Sequence, residues 1–137
     1  MSRGAVRLVG AGPGNPGLLT IRAKELLGRC QVLVFDSLVH PAVLAMVSPD
    51  CELIHVGKKS GGLAVHQDSI QKILVEKSKD GKEVVRLKGG DPYIFGRGGE
   101  EALFLKENGI AFEVVPGVTA ASGAAAYSGT PLTQRKS

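Results

Sequence analysis

The residues with the clearest chemical potential lie in Lys88-Gly89-Gly90-Asp91-Pro92, and a second glycine turn, Gly96-Arg97-Gly98-Gly99, follows closely. Without a Cβ, Gly89 and Gly90 let backbone amides and carbonyls touch a ligand. Asp91 can attract a cation, or it can open an ordinary turn with Pro92. A double glycine turn is longer than a simple strand-to-helix joint requires, so a ligand site is the favoured reading. A second loop, Gly10-Ala11-Gly12-Pro13-Gly14-Asn15-Pro16-Gly17, begins like the dinucleotide fingerprint G-x-G-x-x-G. Asn15 stands where its third glycine belongs, and Pro13 and Pro16 intrude where its helix would start. Asp36 ends an aliphatic run, the place where a dinucleotide fold puts its ribose-binding carboxylate. Lys58 follows Gly57 at the end of another such run. An Asp and a Lys on one rim suit acid–base chemistry or a plain surface ion pair, and spacing leaves both open.

Five short aliphatic runs must position these loops: Val6–Val9, Val32–Phe35, Leu53–Val56, Val84–Leu87 and Phe112–Val115. Helical spacing fills the gaps between them. Leu19, Ala23, Leu26 and Leu27 share one face, with Thr20 as a cap and Gly28 as the expected stop. Pro41–Val47 reads as a short helix with proline in its first turn. Ile70, Ile73 and Leu74 mark a third helix ending at Gly81. A fourth begins with Glu100 and Glu101, acidic residues favourable at a helix N-terminus, and ends at Gly109. The last, Thr119–Tyr127, is rich in Ala, Ser and Gly, and its N-terminus offers donors to a carboxylate or hydroxyl. This alternation predicts an α/β domain with a mainly parallel five-stranded sheet flanked by helices. Parallel strands joined by right-handed crossovers end on one edge, where ligands bind. Gly10–Gly14, Asp36, Gly57–Lys59, Lys88–Asp91 and Pro116–Thr119 are therefore expected along a single rim.

Composition sets the outer bounds. The 137 residues suit one domain, and an apolar fraction of 43% with 19 glycines suits a compact chain with many tight turns. The net charge of +4 is dispersed, which argues weakly for nucleic acid and fits an acidic small molecule equally well. Cys30 and Cys51 lie far apart in sequence without a CxxC or a histidine cluster, so neither a metal site nor a disulfide framework is expected. His40, His55 and His66 are isolated and read as loop, strand and helix-entry residues. No signal-peptide pattern or membrane-length apolar run occurs, and a cytoplasmic protein is expected.

Taken together, "VRLVGAGPGNPGLLTIRA", "VLVFDSLVHPAVL", "VGKK", "VVRLKGGDPYIFGRGGEEA" and "FEVVPGVTAASGAAAYSGTPLT" resemble the tetrapyrrole methylase family. Within it, they are most similar to the enzymes that act on uroporphyrinogen III, and Lys88–Glu101 is the most specific part. The resemblance implies methylation of the macrocycle at two carbons by S-adenosylmethionine, giving precorrin-2 for sirohaem and cobalamin synthesis. Carried onto this chain, it implies donor contacts from Pro13, Gly89, Gly90, Asp91, Ile94, Thr119 and Ala120. Asp36 would be the proton acceptor and Lys58 the proton donor, with no metal. A polycarboxylate substrate gives Arg97 a use, because its fork pairs bidentately with carboxylates. The family also implies a homodimer and a second α/β domain, so residues 1–137 are expected to be the N-terminal domain, nearly inactive alone. The rival readings are a methylase of the same family with another substrate, an NAD-binding oxidoreductase fragment, and a non-catalytic binding domain.

Overall fold

The computed structural model describes residues 4–36, 39–57 and 66–135. Strands and helices alternate: β1 (Val6–Gly10), α1 (Ile21–Arg29), β2 (Val32–Phe35), α2 (Pro41–Leu44), β3 (Glu52–His55), α3 (Gln67–Lys79), β4 (Val84–Lys88), α4 (Gly98–Glu107), β5 (Phe112–Val115) and α5 (Ala120–Ser128). A 3-10 turn at Pro16–Leu18 precedes α1. The strands form one five-stranded sheet in the order β3-β2-β4-β1-β5, and every pairing is parallel.

The sheet explains the aliphatic runs. Its inner strands are covered on both faces, so consecutive residues are apolar instead of alternating with polar ones. One face sets Val9, Leu33, Phe35, Val85 and Leu87 against Leu26 and Leu27 of α1 and Val43 of α2. The other sets Val6, Leu8, Val32, Val34 and Val84 against Ile70 and Leu74 of α3 and Leu105 of α4. Each fully buried leucine here contributes roughly 1.5–3 kcal/mol.

Caps fix most boundaries. Thr20 Oγ1 accepts the Ala23 N–H at 3.0 Å and starts α1. His40 Nδ1 accepts from the Ala42 N–H at 2.9 Å ahead of Pro41 in α2. Gly129 turns left-handed after α5, with φ of 73°. Several boundaries differ from those read in the sequence, and two of them are instructive. α1 runs through Gly28 to Arg29, because burial of Leu26 and Leu27 outweighs the low helix propensity of one glycine. α2 stops at Leu44 and continues to Val47 only as turns.

The fold also brings together two cysteines that are distant in sequence. Cys30 Sγ and Cys51 Sγ approach to 3.6 Å, and both remain free thiols. Burial, reinforced by Cys51, pushes the Cys30 thiol up to about 12, which keeps it protonated and unreactive.

Candidate functional site

The carboxyl ends of the strands open onto a cavity of about 500 Å³. Gly12 and Pro13 after β1, Asp36 after β2, Lys88–Asp91 with Ile94, Phe95 and Gly96 after β4, and Thr119 and Ala120 after β5 line it. Glycine chemistry explains why these loops can meet. Gly12 N–H donates to Gly90 O at 3.2 Å, and Gly90 N–H returns a bond to Gly12 O at 2.8 Å. Both residues have positive φ, 75° and 62°, which a side chain would resist. A Cβ on Gly10 would stand 2.5 Å from Gly90 O and 2.8 Å from the Gly117 backbone.

Asp91 locks this junction. Its Oδ1 accepts the Gly117 N–H and its Oδ2 the Tyr93 N–H, each at 3.0 Å. The turn-forming reading of Asp91 therefore holds, and the same carboxylate ties the β4 loop to the β5 loop at the cavity wall. The loop beyond it carries Phe95 and Arg97 at φ of 60° and 62°, values uncommon for residues with side chains. At the far wall, α5 leaves its first N–H groups without a bond from the Thr119 side chain, so they are available to an acceptor in the cavity.

The small residues of α5 have a specific use. A Cβ on Gly123 would come within 2.7 Å of Pro13 Cγ, so the glycine lets the proline ring seat against the helix. Gly123→Ala should displace Pro13 and cost about 1–3 kcal/mol by overpacking. Urea unfolding checks this, and an unchanged midpoint would show that Pro13 is not held by the helix.

Beneath the cavity lies a buried charged cluster. Glu101 of α4 is fully buried, with Oε2 at 3.1 Å from Arg86 Nε and Oε1 at 3.0 Å from Lys88 Nζ. Burial holds the Lys88 ammonium below the usual lysine range, and the Arg86 charge pushes the same way. Glu101 and Asp36 oppose that shift.

The structure thus gathers Pro13, Asp36, Gly89, Gly90, Asp91, Ile94, Thr119 and Ala120 around one cavity. Arg97 is exposed and outside its lining. Lys58 lies outside the described residues. Sequence reasoning placed Lys88 on the rim but missed Arg86 as part of the cavity, and it read Glu101 as a helix-dipole residue. The available signal was the strand Val84-Val85-Arg86-Leu87-Lys88, where charge recurs every second position in a central strand. Among the described residues, no cluster of three or more His, Cys, Asp or Glu could hold a metal ion. A smaller hollow of about 220 Å³ lies at the opposite edge of the sheet, between Arg7, Arg29 and Glu83.

Comparison with known proteins agrees with this fold. The family model for tetrapyrrole (corrin/porphyrin) methylases matches residues 5–137. A siroheme synthase of Chromobacterium violaceum is 58% identical over 132 residues, which are 96% of this chain and 28% of that protein. The crystal structure of a uroporphyrin-III C-methyltransferase from Thermus thermophilus is similar with a TM-score of 0.86 and 49% identity, over 98% of this chain and 56% of that one. A Thermus thermophilus structure complexed with S-adenyl homocysteine gives 0.78 and 47%, over 97% of this chain and 51% of that one. The chain therefore spans 28% of the length of the siroheme synthase that it matches.

Proposed function

This chain belongs to the tetrapyrrole (corrin/porphyrin) methylase family, and we propose that it is the N-terminal domain of an S-adenosylmethionine-dependent C-methyltransferase that converts uroporphyrinogen III to precorrin-2. The observation that carries this reading is the convergence of loops after β1, β2, β4 and β5 on one cavity of about 500 Å³. That volume falls in the range of small-molecule sites, roughly 300–1,000 Å³. The cavity residues fit the donor chemically. Pro13, Ile94 and Phe95 offer apolar surface to an adenine ring, and the N–H groups at the start of α5 suit a carboxylate. Gly89 and Gly90 bring bare backbone to the wall. The relative solved with S-adenyl homocysteine supports the same ligand class.

When bound, S-adenosylmethionine supplies a sulfonium methyl group to an electron-rich carbon. The protein's share is then positioning and proton handling, with no metal required. Pro13, Gly90, Asp91 and Thr119 fix the donor, Asp36 accepts the proton shed as the ring system rearranges, and Lys58 is the matching proton donor. Arg97 is exposed on the loop after β4, and its fork would suit a substrate carboxylate. A homodimer acting in the cytoplasm belongs to the same reading. Among the described residues, no helix is long and apolar enough to cross a membrane.

The test is methyl transfer by the full-length protein from labelled S-adenosylmethionine to uroporphyrinogen III, with precorrin-2 as the expected product. Label appearing only on a protein or RNA acceptor would contradict the substrate assignment. Calorimetric titration should show S-adenosylhomocysteine binding and no NAD binding, and the reverse would overturn the donor assignment.

A further inference from the structure

Arg86 and Lys88 interrupt the central strand with side chains only 6% and 7% exposed, and both meet the single carboxylate of Glu101. One buried carboxylate does not balance two buried cations, and an unbalanced interior charge is costly. The sheet register identifies the missing anion. Val32 pairs with Val84 and Val34 with Arg86 across β2 and β4. The pairing ends there, and the same register continued two residues past it brings Asp36, the residue after β2, to the level of Lys88. The two-residue period of a strand gives Asp36 the face of Val34 and Lys88 the face of Arg86, which is the face that packs on α4. Adjacent strands are about 4.8 Å apart, so the pair are neighbours at the cavity floor. Both residues line that cavity, and the Asp36 charge acts directly on Lys88.

We propose that Lys88 is a positioning residue for the catalytic base, holding the Asp36 carboxylate turned into the cavity as the outer member of a network anchored on Glu101 and Arg86. The inference rests on the reading of Asp36 as proton acceptor. Gln67 of α3 supports the network from behind, donating to Glu101 Oε2 at 3.3 Å. Asp91 faces the same cavity but accepts backbone N–H bonds on both oxygens. His55 on β3 packs edge-on against Phe35 with ring centres 5.2 Å apart, on the strand position next to Asp36 and thus on the other face. The network is neutral while Asp36 is charged and carries one positive charge once Asp36 has taken a proton.

Two readouts on the full-length protein test this, one of them independent of turnover. In a double-mutant cycle of thermal unfolding, Asp36→Asn with Lys88→Met should lose less than the sum of the two single variants. In steady-state kinetics, Lys88→Met should lower kcat roughly tenfold or more with little change in KM, while Lys88→Arg restores most of kcat. Glu101→Gln loosens Lys88 from its other side and should also lower kcat with KM little changed, a readout that stands even where Lys88→Met fails to fold. Additive unfolding losses with an unchanged kcat in Lys88→Met would overturn the inference and leave Asp36 as base. Full turnover by Asp36→Asn would remove the base assignment, and this inference with it.

Discussion

Glu101→Ala should cost about 3–5 kcal/mol of folding stability, the range for removing one partner from a buried ion pair. Glu101 is fully buried and bridges Arg86 at 3.1 Å and Lys88 at 3.0 Å, so its loss leaves two cations facing each other without their anion. The intact cluster need not be more stable than apolar residues of similar volume, because desolvating the charges offsets much of their attraction. The two effects separate cleanly. Glu101→Leu combined with Arg86→Met and Lys88→Met should recover most of the loss while disturbing the cavity floor. Chemical denaturation measures both. A loss under about 1 kcal/mol in Glu101→Ala, the range of exposed pairs, would mean that water reaches the cluster.

Asp36→Asn should lower kcat for methyl transfer by roughly 10²- to 10⁴-fold, the usual contribution of a positioned general base. The substitution keeps the shape of the side chain and removes its ability to accept the proton. Asp36 lines the cavity but follows β2, whereas most of the proposed donor contacts come from the β1, β4 and β5 loops. S-adenosylhomocysteine affinity should therefore change little. Single-turnover kinetics alongside calorimetry distinguish a base from a structural ion-pair member. If Asp36 served only the ion pair, the variant would unfold at lower temperature and still methylate. If it were a ribose-binding carboxylate, donor affinity would fall instead of the chemical rate.

The strand pattern was legible because the inner strands are covered on both faces, so Val32–Phe35 is an unbroken apolar run and Val84–Leu87 is interrupted only by Arg86. The rim was legible for a topological reason: parallel order alone sends Gly12, Asp36, Gly90 and Thr119 to the same edge. What the sequence hid were the events across the sheet. Glu101 lies fifteen positions beyond Arg86, and the acidic pair Glu100-Glu101 is equally suited to a helix dipole. Only packing of α4 on β4 distinguishes the exposed Glu100 from the buried Glu101. The same holds for Gly28, whose stop signal is overridden by the burial of Leu26 and Leu27. Cys30 and Cys51 approach because β2 and β3 are neighbours, which their sequence separation does not reveal.

Asp91 illustrates a finer limit. Its place before Pro92 allows a turn, and its place among glycines allows a ligand contact. The structure shows the carboxylate bonded to the Gly117 and Tyr93 amides while still lining the cavity. Its expected part in donor binding is thus to shape the wall, with its oxygens already engaged.

A crystal structure of the full-length protein with S-adenosylhomocysteine tests the central claim most directly. The ligand should lie between Pro13, Gly89–Asp91 and Thr119–Ala120, with its sulfur on the side facing Asp36. A ligand seated away from these loops, such as in the hollow between Arg7, Arg29 and Glu83 at the opposite edge of the sheet, would contradict it.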